Sequence, residues 1–172
     1  MKTLIIGHNN GIGKSIANSL DEYMGLSKST GFDINDSHND YDYNQYECII
    51  LNAYDKFNSQ LETMFEIVEN VSKNTLIIVV ASTSAYKTNP SDFYWAKYSI
   101  EKAAIIKAGI DLNTMGYNIA VISPGTVDTY RNNEKNCDKL STQSIANVAL
   151  DIIDKFNDGI LLEHTVIRTV KK

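Results

Sequence analysis

The chain has 172 residues, 43% of them hydrophobic and 22% charged, which suits a single domain spanning 1–172 and excludes disorder as its dominant state. No apolar run approaches the roughly 20 residues of a membrane span, and a net charge of −5 argues against a nucleic-acid groove. Cys48 and Cys137 are too few for a disulfide scaffold. Met1-Lys2 leads into a strand-like run with no cleavage region, so a cytoplasmic protein with reduced thiols is expected.

Short β-rich runs alternate with longer helical ones. Thr3–Ile6 reads as a strand buried on both faces and closes at Gly7. Residues 11–24 carry Ile12, Ile16, Ala17, Leu20 and Met24 as a helical stripe, and a second strand is expected to end near Gly31-Phe32-Asp33. The stretch 35–45, rich in Asn, Asp and Tyr, reads as a loop. Cys48–Leu51 is the next strand, followed by a helix over 57–71 with Leu61, Met64, Phe65, Val68 and Val71 on its stripe. Thr75–Val80 is the strongest strand and runs into Ser82-Thr83-Ser84. A helix over 91–115 turns Ala103, Ala104, Ile105, Ala108 and Leu112 inward. A strand at 118–122, a helix over 144–156 and one or two strands within 159–170 complete the chain. The alternation predicts an α/β, Rossmann-like, doubly wound and mostly parallel sheet of about six strands, with helices on both faces. Ligands of such sheets bind at the C-terminal strand ends.

Five clusters fall at those ends. Gly7-His8-Asn9-Asn10-Gly11-Ile12-Gly13 joins the first strand to the first helix, where glycines let the backbone approach a pyrophosphate; an ordinary glycine-rich turn would read the same. Asp33 lies 20 residues past Gly13, where a carboxylate accepts hydrogen bonds from adenosine ribose hydroxyls and repels a 2′-phosphate, unless it is a solvated loop residue beside Asp36, Asp40 and Asp42. Tyr98 and Lys102 are i and i+4 on one helix face, so the ammonium can draw the phenol pKa down from its usual value near 10. With ten tyrosines in the chain, roughly one such pair arises by chance, and an exposed helix face is the plain alternative. Ser82, with Ser84 close behind, can orient a substrate oxygen or merely cap a turn. Ser123-Pro124-Gly125-Thr126-Val127-Asp128-Thr129 marks a turn on any reading. His8, His38 and His164 are scattered without carboxylates or thiols at ligand spacing, so no metal site is expected.

In this order the pieces resemble the short-chain dehydrogenase/reductase family over nearly the whole chain. TLIIGHNNGIGKSIA is similar to its cofactor loop, LNAY to its Asn-Asn-Ala-Gly strand end, and VVASTSAY to its catalytic-serine strand. YSIEKAA is similar to its Tyr-x-x-x-Lys helix and ISPGTVDT to its Pro-Gly segment. The resemblance implies reversible hydride transfer with NAD(P) on a small-molecule carbonyl or alcohol. Tyr98 would be the acid/base, Lys102 would hold the nicotinamide ribose and lower the Tyr98 pKa, and Ser82 would position the substrate oxygen. The cofactor would touch Gly7, Asn9, Asn10, Gly11, Ile12, Gly13, Asp33, Asn52, Ala53, Tyr98, Lys102, Pro124, Gly125, Val127 and Thr129, and Asp33 would favour NAD over NADP. The family pairs subunits through the helices read here as 57–71 and 91–115. Phe57, Ile67, Ile106 and Ile110 extend their apolar faces, so a homodimer or homotetramer is expected.

The chain also departs from the family. Only 18 residues separate Asp33 from Asn52, where the family fits two helices and a strand. The family's fourth catalytic residue, an Asn, has Asn58 as its nearest counterpart, with Gln60 aligning if Phe65 sets the register. Tyr54 stands at a family glycine, and Tyr130 to Leu140 forms a short lid. A catalytically silent dinucleotide-binding sensor is the alternative function.

Overall fold

Every residue of β1 (Thr3–Ile6), β3 (Cys48–Leu51) and β4 (Leu76–Val80) is buried, as unbroken apolar runs require when both sheet faces are covered. The computed structural model describes residues 1–36, 41–134 and 136–170. The remaining strands are β2 (Met24–Leu26), β5 (Asn118–Pro124) and β6 (His164–Ile167), and the helices are α1 (Gly11–Ala17), α2 (Ser59–Glu69), α3 (Phe93–Thr114) and α4 (Thr142–Asn157). All pairings are parallel, in the order β2-β1-β3-β4-β5-β6. Successive strand side chains point to opposite faces. Leu4, Ile6, Ile49, Leu51, Ile77 and Val79 therefore meet Met64 and Ile67 of α2 and Ile105 and Leu112 of α3. Ile5, Ile50, Ile78 and Ile122 meet Ile16 of α1 and Ile145, Ala149 and Ile152 of α4. The chain leaves β1 for one edge and returns as β3 on the other side, so the switch point lies between the ends of β1 and β3. No helix among the described residues is long and apolar enough to cross a membrane.

The doubly wound, six-stranded expectation holds, and several local expectations do not. The first helix stops at Ala17, and Met24, expected on its stripe, opens β2. β2 therefore lies at 24–26, not near Gly31-Phe32-Asp33. Three residues on a sheet edge leave no apolar run to read, and the strand is fixed by pairing Leu4 to Met24 and Ile6 to Leu26. Gly25 is needed there, because a Cβ would stand 2.5 Å from the His8 ring. After β2 a short turn at Lys28–Thr30 ends on Gly31 at φ +86°, and Phe32 and Ile34 then enter the core without pairing as a strand.

The segment read as a polar loop over 35–45 also holds core residues. Tyr43 and Tyr46 are buried, the Tyr41 ring packs 4.9 Å from that of Tyr43, and the Tyr43 hydroxyl donates to Glu66 of α2 at 3.2 Å. These tyrosines join the core on the α2 and α3 side of the sheet. His38 and Asp40, named from the sequence, lie outside the described residues. Phe65 and Ala103, expected inward, are exposed, whereas Ile67, expected on an outward face, is fully buried. Cys48 is buried and Cys137 exposed, both as free thiols.

Candidate active site

Three strand ends are packed against one another at the switch point. Gly7 follows β1 at φ +91°, where a Cβ would come within 2.7 Å of the Ala53 nitrogen. Asn52, at the end of β3, donates from Nδ2 to the Gly7 carbonyl at 3.0 Å. Gly13 packs on that same carbonyl, and any side chain there would collide with it. Thr129, beyond β5, lies over Gly11, where a Cβ would be 3.2 Å from its Cγ2. At the end of β2, Asn9 donates from Nδ2 to the Ser27 hydroxyl at 2.8 Å and also to that of Ser29.

Between these ends runs a cleft of about 870 Å³, within the range of small-molecule sites. Gly7, Asn9, Asn10, Gly11 and Ile12 line it from the first loop, and Asn52 and Ala53 from the end of β3. Pro124, Gly125, Val127 and Thr129 line it from the segment after β5, and Ser82, Tyr98 and Lys102 from its far end. Gly13 supports the wall from behind. Asp33 is not among the lining residues.

The reactive end is assembled by α3. The Asp92 carboxylate accepts the Trp95 N–H at 3.0 Å and so caps the helix that presents Tyr98 and Lys102 one turn apart. Lys102 is only 2% exposed. Its ammonium lies 5.2 Å from the Tyr98 ring centre and 4.6 Å from that of Tyr54, and it donates to Oε1 of Gln60. Gln60 is locked in turn, because its Nε2 donates to the carbonyls of Leu51 and Val80, each at 3.1 Å. The Tyr98 ring stands edge-on between Tyr54 and Trp95, at 5.0 and 5.6 Å. Ser82 caps the short turn Thr83–Tyr86; its oxygen accepts the Ser84 N–H at 3.1 Å, and its hydroxyl donates to that of Ser84 at 3.2 Å. Both serines line the cleft.

The end of the cleft beside β2 differs from the sequence expectation. Ser27, Lys28 and Ser29, not Asp33, follow β2 into the cleft. Asp33 stands behind them, its carboxylate 3.3 Å from the Lys28 ammonium, which also reaches Asp55 at 3.0 Å. Bonds to Asp55 and Asp33 hold the Lys28 pKa above its ordinary value. The Asn35 backbone N–H, then Lys28, hold Asp33 below its own; the Asn35 side chain and Lys28 do the same for Asp55. A preference for NAD drawn from Asp33 therefore has no structural basis. Sequence reading missed Ser27, Lys28 and Ser29 because it placed the strand end too late; Gly25 followed by hydroxyl-rich residues was the available signal. Gln60 is the residue that meets Lys102, and Asn58 does not take that place. Glu101, three residues after Tyr98 on the same helix and buried, carried no signal of its own.

No protein-family model matches the chain, and no curated protein matches its sequence. Solved structures are similar to it in fold. An apo SCOR enzyme from Clostridium thermocellum superposes with a TM-score of 0.73 at 17% identity, over 98% of this chain and 94% of that one. An oxidoreductase of the short-chain dehydrogenase/reductase family from Burkholderia thailandensis gives 0.72 at 16%, over 96% and 90%. An alcohol dehydrogenase from Thermococcus sibiricus complexed with 5-hydroxy-NADP gives 0.71 at 18%, over 100% and 98%. At such identity the likeness shows a shared fold.

Proposed function

We propose that this chain is a short-chain dehydrogenase/reductase that interconverts a carbonyl and a hydroxyl on a small molecule with a nicotinamide dinucleotide. The observation that carries the reading is the buried Lys102 ammonium set against the Tyr98 ring at one end of a cleft whose other end is a glycine loop. The residues present fit the dinucleotide. Gly7 and Gly11 let the loop pack closely on Ala53 and Thr129, and the cleft runs unbroken from Ser27–Ser29 to Ser82 and Tyr98. The 5-hydroxy-NADP complexed with the structural neighbour from Thermococcus sibiricus supports the same class of cofactor.

Bound there, the dinucleotide supplies or accepts the hydride. Tyr98 gives or takes the proton at the substrate oxygen, the role in which a phenol needs its pKa brought toward the working pH. Lys102, buried beside it, stabilises the phenolate by proximity of charge. Ser82 orients the substrate oxygen toward Tyr98, and the Ser84 hydroxyl holds Ser82. Ser27, Ser29 and Lys28 offer two hydroxyls and an ammonium to the ribose end, a donor set suited to a 2′-phosphate, so the cofactor is NADP(H) in preference to NAD(H). Asn52 and Thr129 keep the loops that line the cleft in register.

The test is Tyr98→Phe, assayed on a substrate found by screening small ketones, aldehydes and secondary alcohols. Turnover falls by at least 10²-fold while dinucleotide affinity holds within a few-fold, since only the proton-bearing oxygen is lost. Full activity in the variant removes the mechanism. Dinucleotide binding without turnover of any substrate by the native protein leaves a silent sensor, which the absence of an α-helix between β2 and β3 among the described residues favours.

A further inference from the structure

Glu101 is 1% exposed, and a carboxylate so placed must be compensated by hydrogen bonds or charge. Its partners come from another helix. Oε2 accepts the Asn58 N–H at 2.9 Å, and Oε1 accepts those of Gln60 at 3.1 Å and Leu61 at 3.4 Å. These are N–H groups at the start of α2, where backbone donors lack intrahelical partners and the helix dipole is positive. Asn58 makes no side-chain cap of its own there. It sits at φ +70°, the one non-glycine residue with positive φ among those described. The Glu101 carboxylate thus does from α3 what a local cap would do, and it holds a left-handed residue in place while doing so.

The consequence reaches Lys102. Of the three residues whose N–H groups Glu101 grips, Gln60 is the one whose side chain receives the Lys102 ammonium. A closed ring results: Lys102 to Gln60 Oε1, the Gln60 backbone to Glu101, and Glu101 to Lys102 through one peptide bond. We infer that Glu101 is a positioning residue for the proposed reaction, fixing the Lys102 ammonium against Tyr98 by anchoring the backbone of Gln60. The inference rests on the activity proposed above. Tyr98 on its own helix and Tyr54 after β3 both face the ammonium. On the proposed mechanism the ammonium favours the phenolate, so an ammonium displaced from beside the ring makes the phenolate harder to form.

Glu101→Gln keeps the shape but turns an amide N–H₂ toward N–H donors. In the direction that needs the phenolate, the ascending limb of its pH–rate profile moves alkaline, so that kcat at pH 7 falls roughly three- to tenfold with KM little changed. Gln60→Ala gives a shift in the same direction, and the double variant is no worse than Gln60→Ala alone, because one residue acts through the other. A second readout needs no activity: in protein labelled with ¹⁵N-lysine, the Lys102 ammonium resonance, assigned with Lys102→Arg, moves or exchanges faster in Glu101→Gln. Should that variant not fold, Glu101→Asp, which keeps the charge with a shorter reach, must move the resonance and the profile the same way. A lowered melting temperature with profile and resonance unchanged reduces Glu101 to a stability element and overturns the inference, as do additive effects with Gln60→Ala. Native protein without turnover defeats the activity reading alone, and the ammonium resonance then still decides the role of Glu101.

Discussion

The Lys102 ammonium lies 4.6 Å from the centre of the Tyr54 ring and 5.2 Å from that of Tyr98, so two tyrosines flank one buried cation. Tyr54 and Tyr98 also meet edge to face at 5.0 Å. A desolvated cation–π contact contributes about 2 kcal/mol, and part of it is lost if the ring is replaced by an aliphatic group. Tyr54→Leu is therefore expected to lower kcat by about tenfold, while Tyr54→Phe, which keeps the ring face, stays close to the native rate. Steady-state kinetics of the two variants check this; equal losses would assign the effect to the Tyr54 hydroxyl instead.

The proposed cofactor choice rests on Lys28, Ser27 and Ser29, which line the cleft. Trp95 is the single tryptophan and lines the cleft, so its fluorescence reports binding directly. Titration is expected to show NADPH binding about tenfold or more tighter than NADH, with a steeper loss of affinity as salt rises. Lys28→Ala should remove most of that difference. Asp55→Asn should enlarge it, by freeing the ammonium from one of its two carboxylates. Equal affinities in the native protein would take Lys28 out of the site.

Assembly is expected through α3. Phe93 is 88% exposed, Ile100 62% and Ile110 46%, and Ala103 is exposed beside them. Phe93 and Ile100 are seven residues apart, as are Ala103 and Ile110, so the four share a broad outward face. A homodimer or homotetramer built on that face buries it. Sedimentation at micromolar concentration should find the oligomer, and Ile100→Lys should shift it to monomer. A native monomer rejects the proposal.

Stability should fall as the solution is acidified through the histidine range. His164 Nε2 lies 2.9 Å from the hydroxyl of the buried Ser123 and 3.1 Å from that of Tyr86. Burial lowers its pKa in the folded state. The neutral ring is then favoured by folding, so its contribution is complete above the unfolded value near 6.5 and is lost as pH falls from there toward the lowered folded value. Melting temperatures recorded from about pH 7.5 to about pH 5 should decline, and His164→Gln should flatten that part of the curve. An unchanged slope in the variant would assign the decline to other groups.

The sequence by itself determined the buried central strands, a mostly parallel sheet and the loop glycines. TLII, CIIL and LIIVV can only be buried on both faces, and that alone requires crossover helices and a doubly wound sheet. The Tyr98–Lys102 pair was equally legible, because helical spacing places both on one face wherever the helix lies. Tertiary structure decided the rest. β2 is three residues on an edge, recognisable only through its pairing with β1, and its placement puts Ser27, Lys28 and Ser29, not Asp33, in the cleft. Tyr43 is buried from a segment as polar as any loop, because its ring meets Tyr41 and its hydroxyl meets Glu66. Gln60 and Glu101 are 41 residues apart in the chain and hydrogen-bonded in the fold. Local periodicity records which face of an element is apolar; it holds no information about which polar group another element will bring to that face, and only packing supplies it.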